Sequence, residues 1–307
     1  MERQEDAFYV DWNAPPIRVI ETISNYAERI TLQHKKGFMV WRFWDGPKNK
    51  APLLLLHGGW GSWLHWIKVI PRLAAERPIL VADLPAMGDS SDIEGARDLD
   101  AICEMVSAGV KDILPKRNVF DLCGFSFGGI VGAKVALTCE NECRSLTLVG
   151  AAGFGNLHVI VEGLKKPFSF SNKGEKFNIH KSNLEKLMIA DDLAIDELSI
   201  FIHQKNFEKG RFRSRRISQG AALIELLPRL STKIGGIWGE LDATAGGIEG
   251  LKQRQEFFRK LQANSKFDII KGCGHWTMYE KPIEFYDYLR EHLTFYENGG
   301  SQTPRSA

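Results

Sequence analysis

Short apolar bursts bounded by turn residues recur along this chain: PLLLLHGG at 52–59, PILVADLP at 78–85, NVFDLCGFS at 118–126 and SLTLVGAAG at 145–153. Runs of this length without polar alternation predict strands covered on both faces, as in a parallel sheet. Between them, 64–76, 99–113 and 127–138 have helical spacing and the length that a parallel crossover requires. Ahead of this repeat, alternation in 26–32 and 38–44 around HKKG predicts an opening hairpin.

The rhythm returns late, with KIGGIWGE at 233–240, a helix over 250–262, KFDIIKGC at 266–273 and a helix over 282–296. From about 156 to 230 the strand bursts vanish, and the sequence turns helical and basic, with helix-like NLEKLMIADDL and IDELSIFIHQKNF. The predicted organisation is therefore an α/β core of 1–155 and 231–296, an insertion of 156–230, and a disordered tail, NGGSQTPRSA, within 297–307.

Composition narrows the function classes. With 307 residues, 44% of them apolar, the chain can bury a large core. Forty basic against 38 acidic residues leave a formal charge of +2, so no global field draws it to nucleic acid or an anionic membrane. The opening MERQEDAFYVDW lacks the apolar run of a signal peptide and no stretch reaches a membrane span, so the expected location is cytoplasmic. Five dispersed cysteines without a CxxC pair (Cys103, Cys123, Cys139, Cys143, Cys273) fit reduced core thiols, with no metal site expected.

The chemistry concentrates at Gly124-Phe125-Ser126-Phe127-Gly128. A hydroxyl is a poor nucleophile at neutral pH and needs an adjacent base and an accessible perch. In G-x-S-x-G the chain turns so sharply from strand to helix that side chains two residues either side would collide, and glycine removes the collision. Phe127 N–H then lies at a helix N-terminus, where negative charge is favoured.

Partners follow in chain order. His275, in GCGHW, comes after the strand at 266–271, and Asp242 ends WGELD after the strand at 233–238. An imidazole there can act as base and a carboxylate can hold its tautomer. Glu240 is the rival acid, set closer to the strand. His34, His65, His180, His203 and His292 read as surface or core-filling residues. HGGW at 57–60 follows the first buried strand, so Gly59 and Phe127 are the expected N–H donors of an oxyanion hole. Trp60, Trp63, Trp66 and Phe127 cluster at the same mouth and predict an apolar pocket, with Trp63 and Trp66 packing a helix on the sheet.

In the order HGGW, DLPAMGDS, GFSFGG, WGELD and GCGHW, the chain resembles the α/β-hydrolase superfamily across 37–293. The resemblance implies an α/β-hydrolase fold: a mostly parallel eight-stranded sheet with helices on both faces and a helical cap inserted after the sixth strand. Within it the chain is similar to cofactor-independent esterases and to carbon–carbon hydrolases of the meta-cleavage-product branch. That branch would place Trp276 against the substrate. Two departures stand out: the branch has Asn before the serine and an Arg on the cap helix, where this chain has Phe125 and IFIHQ at 200–204. KGRFRSRR at 209–216 offers a replacement arginine or a solvated basic turn. Ala86 stands where the family pattern has glycine, a small cost unless the turn is left-handed.

The expectation is a serine hydrolase that cleaves a small or medium apolar carboxylic ester through an acyl-enzyme. The alternatives are carbon–carbon hydrolysis of a vinylogous diketone acid, or a non-catalytic relative that binds a ligand or partner. The partner expected is a small-molecule substrate, with no cofactor, metal, nucleic acid or membrane; self-association is left open.

Overall fold

The computed structural model describes residues 6–95, 98–114, 119–166 and 172–300. Eight strands form one sheet: β1 (Glu28–His34), β2 (Gly37–Trp44), β3 (Leu53–Leu56), β4 (Ile79–Asp83), β5 (Phe120–Phe125), β6 (Cys143–Val149), β7 (Lys233–Gly239) and β8 (Lys266–Ile270). Their order is β1-β2-β4-β3-β5-β6-β7-β8; β1 and β2 enter antiparallel and the remaining pairs are parallel. This is the predicted α/β-hydrolase architecture, hairpin included.

The unbroken apolar bursts are explained by two cores. Leu54, Leu56, Leu80, Ala82 and Leu122 face one layer, while Leu53, Leu55, Ile79, Val81 and Cys123 face the other. Period-two alternation sends successive side chains to opposite faces, so a strand covered on both must be apolar throughout. The first layer is closed by helices α2 (Leu99–Ile113), α3 (Phe127–Thr138) and α6 (Gly247–Leu261). The second is closed by α1 (Pro16–Asn25) and α7 (Pro282–Glu297).

Two elements depart from the predicted pattern. Helix α1 precedes the hairpin and was not anticipated. The helix expected over 64–76 is a 3-10 turn, Trp63–Trp66, and a short helix, Ile70–Ala74. Pro71 has no N–H to donate backward and is compatible only with a first turn, so the helix restarts there. Trp63 and Trp66 are buried beneath it, as expected.

The insertion runs between β6 and β7 and contributes α4 (Lys173–Asn183) and α5 (Glu197–Lys209). Asp196 caps α5 by accepting from Ser199 N–H, a polar start signal of the usual kind. Predicted residues at 118, 167–171 and 301–307 lie outside the described residues, and Glu297, expected to begin the tail, closes α7. All five cysteines are buried free thiols. Among the described residues no helix is long and apolar enough to cross a membrane, and no cluster of three His, Cys, Asp or Glu side chains could hold a metal ion.

Candidate active site

Strand order places the site. From central β3 the chain moves outward to β4, then returns to the other flank as β5, so the loops leaving β3 and β5 part in opposite directions at a switch point. Leu56 pairs with Gly124 in the sheet register, which sets HGGW and the Ser126 turn side by side.

Ser126 occupies φ 51°, ψ −117°, a conformation an L-residue adopts only under constraint. The constraint is visible. Ser126 N–H donates to Val149 O (2.9 Å), and its carbonyl accepts from Gly129 N–H (3.0 Å) and Ala152 N–H (3.2 Å). A Cβ on Gly124 would sit 2.5 Å from Gly128 O, and one on Gly128 would sit 2.4 Å from Leu56 O. Neither glycine has room for a side chain, which is the collision read from the motif.

His275 and Asp242 are joined: the imidazole Nδ1 lies 2.8 Å from Asp242 Oδ2, with both residues 3% exposed. The other carboxylate oxygen accepts from Thr244 N–H and Thr244 Oγ–H, each at 2.8 Å. Burial pushes the Asp242 carboxyl up, but the His275 charge and the hydrogen bonds from His275 and Thr244 outweigh it and leave it below the ordinary carboxylate value. With Nδ1 donating to Asp242, Nε2 is the nitrogen left to accept a proton. Glu240 is engaged elsewhere, accepting from Gly272 N–H at 2.9 Å.

Consecutive residues at the end of β6 bring the serine and the pair together. Val149 O holds Ser126 N–H, and a Cβ on Gly150 would lie 3.1 Å from both Asp242 Oδ2 and His275 Nδ1. The Phe125 ring packs on His275 with centroids 4.9 Å apart. Among the described residues no hydrogen bond joins the Ser126 hydroxyl to the imidazole, a contact that commonly closes only around a substrate.

Gly59 and Phe127 lie against each other: a Cβ on Gly59 would be 3.7 Å from Phe127 Cβ. The loop carrying Gly59 is stapled by His57, whose Nε2 accepts from Leu84 N–H at 2.9 Å while Nδ1 lies 2.7 Å from Gly58 O. That pairing puts the proton on Nδ1, and burial keeps the ring's pKa lowered. His65 is the second staple, its Nδ1 accepting from Gly58 N–H at 3.3 Å. Burial and the neighbouring His57, His203 and His275 hold His65 well below the usual imidazole value.

The expected substrate contacts divide. Trp60, with φ 53° and 37% exposure, stacks on Phe207 of α5 at 5.2 Å and so joins the core loop to the insertion at the mouth. Trp276 is not on an open face: it is 1% exposed, its indole N–H donates to His65 O at 2.8 Å, and it stacks on Tyr279 at 4.2 Å. Its one polar group is consumed by the staple residue His65.

KGRFRSRR keeps its arginine side chains exposed, while the residues between them fasten the segment to the core. Burial alternates, with Phe212 and Ser214 inward and Arg211, Arg213, Arg215 and Arg216 outward. Arg211 N–H donates to Ala86 O (2.8 Å), its guanidinium reaches Ser90 O, and Lys209 pairs with Asp89. Phe212 stacks on Phe127 at 5.7 Å. Ala86 itself has φ 59°, so the substitution for glycine falls in the left-handed region after all, at a cost on the order of 1 kcal/mol.

Two supporting residues carry no motif. Glu280 accepts from Gly274 N–H (2.7 Å), Ala190 N–H (3.1 Å) and Asp191 N–H (2.8 Å), tying the His275 loop to the insertion. Arg254 is fully buried and donates to Ala245 O, Gly250 O and Leu157 O, anchoring the loop after Asp242; burial draws its pKa down to about 10, with Asp242 opposing. The available signal for Arg254 was a charged residue on the apolar face of a helix.

Comparison with known proteins agrees with this fold. The family model described as "Alpha/beta hydrolase family" matches residues 53–288. The chain is 31% identical over 254 residues to the 2-hydroxy-6-oxo-2,4-heptadienoate hydrolase of Pseudomonas putida, covering 79% of this chain and 88% of that one. It is 32% identical over 253 residues to the monoacylglycerol lipase abhd6-A of Xenopus laevis, covering 77% and 73%. A 111-residue stretch is 36% identical to the dihydrolipoyllysine-residue acetyltransferase component of the acetoin cleaving system of Pseudomonas putida, spanning 36% of this chain but only 29% of that protein's length. Among solved structures, a membrane phospholipase A described as a bacterial virulence factor superposes with TM-score 0.73 at 20% identity, covering 92% of this chain and 90% of that one. A strained serine on a strand-to-helix turn, at the switch point of an eight-stranded sheet and within a family match of this extent, leaves one classification: the chain belongs to the alpha/beta hydrolase family.

Proposed function

We propose that this hydrolase cleaves a small or medium carboxylic ester through an acyl-enzyme on Ser126. The observation that carries the reading is the buried His275–Asp242 pair at 2.8 Å, with Nε2 left free to act, beside a serine held at φ 51°. His275 Nε2 takes the Ser126 proton as Oγ adds to the ester carbonyl, and Asp242 steadies the imidazolium. Gly59 and Phe127 N–H groups stabilise the oxyanion. The imidazolium returns its proton to the leaving alcohol, and water, activated by the same imidazole, releases the acid and frees the serine. Trp60, partly exposed at the mouth and stacked on Phe207, favours an apolar substrate.

The absence of an inward arginine among the described residues of 209–216 favours the ester over a substrate bearing a buried carboxylate. Similarity to the heptadienoate hydrolase favours the second reading, carbon–carbon hydrolysis. Parallel kinetics on p-nitrophenyl esters and a meta-cleavage dienoate separate them, and a strong preference for the dienoate reverses the order. Fluorophosphonate labelling of folded protein, lost in Ser126→Ala, is expected. Its absence from the parent protein favours a non-catalytic binder.

A further inference from the structure

Gly59 lacks a side chain for a reason that lies on the insertion. A Cβ built there would fall 2.2 Å from Ser214 Oγ, so the serine hydroxyl fills the niche that glycine leaves open. Gly59 has an ordinary backbone conformation, and this contact is therefore the local obstacle to alanine. Ser214 is 4% exposed and sits where the extended run 210–213 enters the helical turn Arg215–Ser218. Its carbonyl accepts from Ser218 N–H, but its hydroxyl caps nothing and meets no hydrogen-bond partner among the described residues. Its placement is firmly held: Arg211 N–H is tied to Ala86 O, and Phe212 is stacked on Phe127, the other oxyanion donor.

The residue is buried but its oxygen is not one of the fully enclosed unpartnered polar atoms, so the hydroxyl keeps access to whatever enters beside Gly59 and can donate to an oxygen there. Here it lies against one candidate oxyanion donor, Gly59, and two residues after Phe212, whose ring stacks on the other. We propose that Ser214 supplies a third hydrogen bond to the substrate oxygen that becomes the oxyanion, a catalytic donor brought by the insertion to a hole otherwise built from core backbone. This deepens the acyl-enzyme reading and rests on it. It also gives the insertion a direct part in the chemistry: hydrolysis is fastest only when the strap 209–216 is seated on the core.

The test is a double-mutant cycle of Ser214→Ala and Gly59→Ala on a p-nitrophenyl butyrate substrate, with melting temperatures for every variant. Ser214→Ala removes the donor and is expected to lower kcat by roughly 10- to 100-fold with KM nearly unchanged, below the loss typical of a principal oxyanion donor. Gly59→Ala displaces the same hydroxyl from its niche and is expected to lower kcat similarly, but to cost little more in the Ser214→Ala background. If Ser214→Ala destabilises the fold, the Gly59→Ala protein, which keeps the serine, still reports on the displaced hydroxyl. Unchanged kcat in folded Ser214→Ala, a change confined to KM, or losses that simply multiply in the double variant would overturn the proposal. An active parent silenced by Ser126→Ala with an indifferent Ser214→Ala refutes the third donor alone, whereas a parent that neither hydrolyses nor labels refutes the acyl-enzyme reading and the donor with it.

Discussion

Replacing Asp242 by asparagine tests the core of the proposed chemistry, and its outcome is dictated by Thr244. One carboxylate oxygen accepts two bonds from Thr244, from N–H and from Oγ–H, at 2.8 Å each, while the other meets His275 Nδ1 at 2.8 Å. An asparagine has one acceptor oxygen. Thr244 N–H has a fixed direction and claims it, so the amide NH2 must face His275. A donor opposite Nδ1 forces the imidazole proton onto Nε2, the nitrogen that has to accept the Ser126 proton, and no anion remains to steady the imidazolium. A tautomer switch of this kind costs about 10^4 in kcat, or about 5.4 kcal/mol of transition-state stabilisation. The measurement is initial rate against p-nitrophenyl ester concentration from pH 5 to 9, with Glu240→Gln assayed beside it and expected near parental rate, since Glu240 is bonded to Gly272 N–H. Retention of more than about a tenth of parental kcat by folded Asp242→Asn would refute the reasoning, and a large loss in Glu240→Gln instead would move the acid role there.

Further expectations follow from the same contacts. Ser126→Ala should abolish fluorophosphonate labelling and lower kcat by about 10^4 or more, with the melting temperature little changed because the backbone anchors remain; residual labelling at another residue would displace Ser126. Glu280→Gln sets an NH2 group against one of the backbone N–H donors of Gly274, Ala190 or Asp191, and should cost roughly 2–3 kcal/mol in urea unfolding together with a fall in kcat through the His275 loop; unchanged stability contradicts it. His203 lies 2.7 Å from His180 through their Nδ1 atoms, and burial and His180 lower its pKa from 6.5 to about 3. A depressed imidazole pKa means that the fold prefers the neutral ring, so its contribution is complete above pH 6.5 and is lost as pH falls from 6.5 toward 3. Folding stability should therefore drop on acidification, and His203→Gln should flatten that slope by at most about 1.4 kcal/mol per pH unit; an identical slope in the variant would argue against it.

Much of this arrangement was legible in the chain. Apolar bursts at 52–59, 78–85 and 145–153 predicted strands because burial on both faces leaves no polar position, and G-x-S-x-G predicted its turn because Gly124 and Gly128 have no space for a Cβ. What escaped were features that local pattern cannot encode. Ala86 is left-handed because its N–H is drawn to Ser91 O and its carbonyl to Arg211 N–H, the latter 125 positions later, and KGRFRSRR looks solvated until its even positions are pressed onto Phe127 and Gly59. Trp276 follows the histidine as the resemblance expects, yet a distant carbonyl, His65 O, turns it inward.

The amino-acid order alone determined the element rhythm, the serine turn and the sequence Ser, Asp, His, because backbone sterics and hydrophobic periodicity act over a few residues. Tertiary structure decided which acid meets the imidazole, where Trp276 and Glu280 point, and that a serine from the insertion rests on the loop carrying Gly59. Those are contacts between segments far apart in the chain, and their geometry comes into being only when the sheet's switch point and the insertion close on one another.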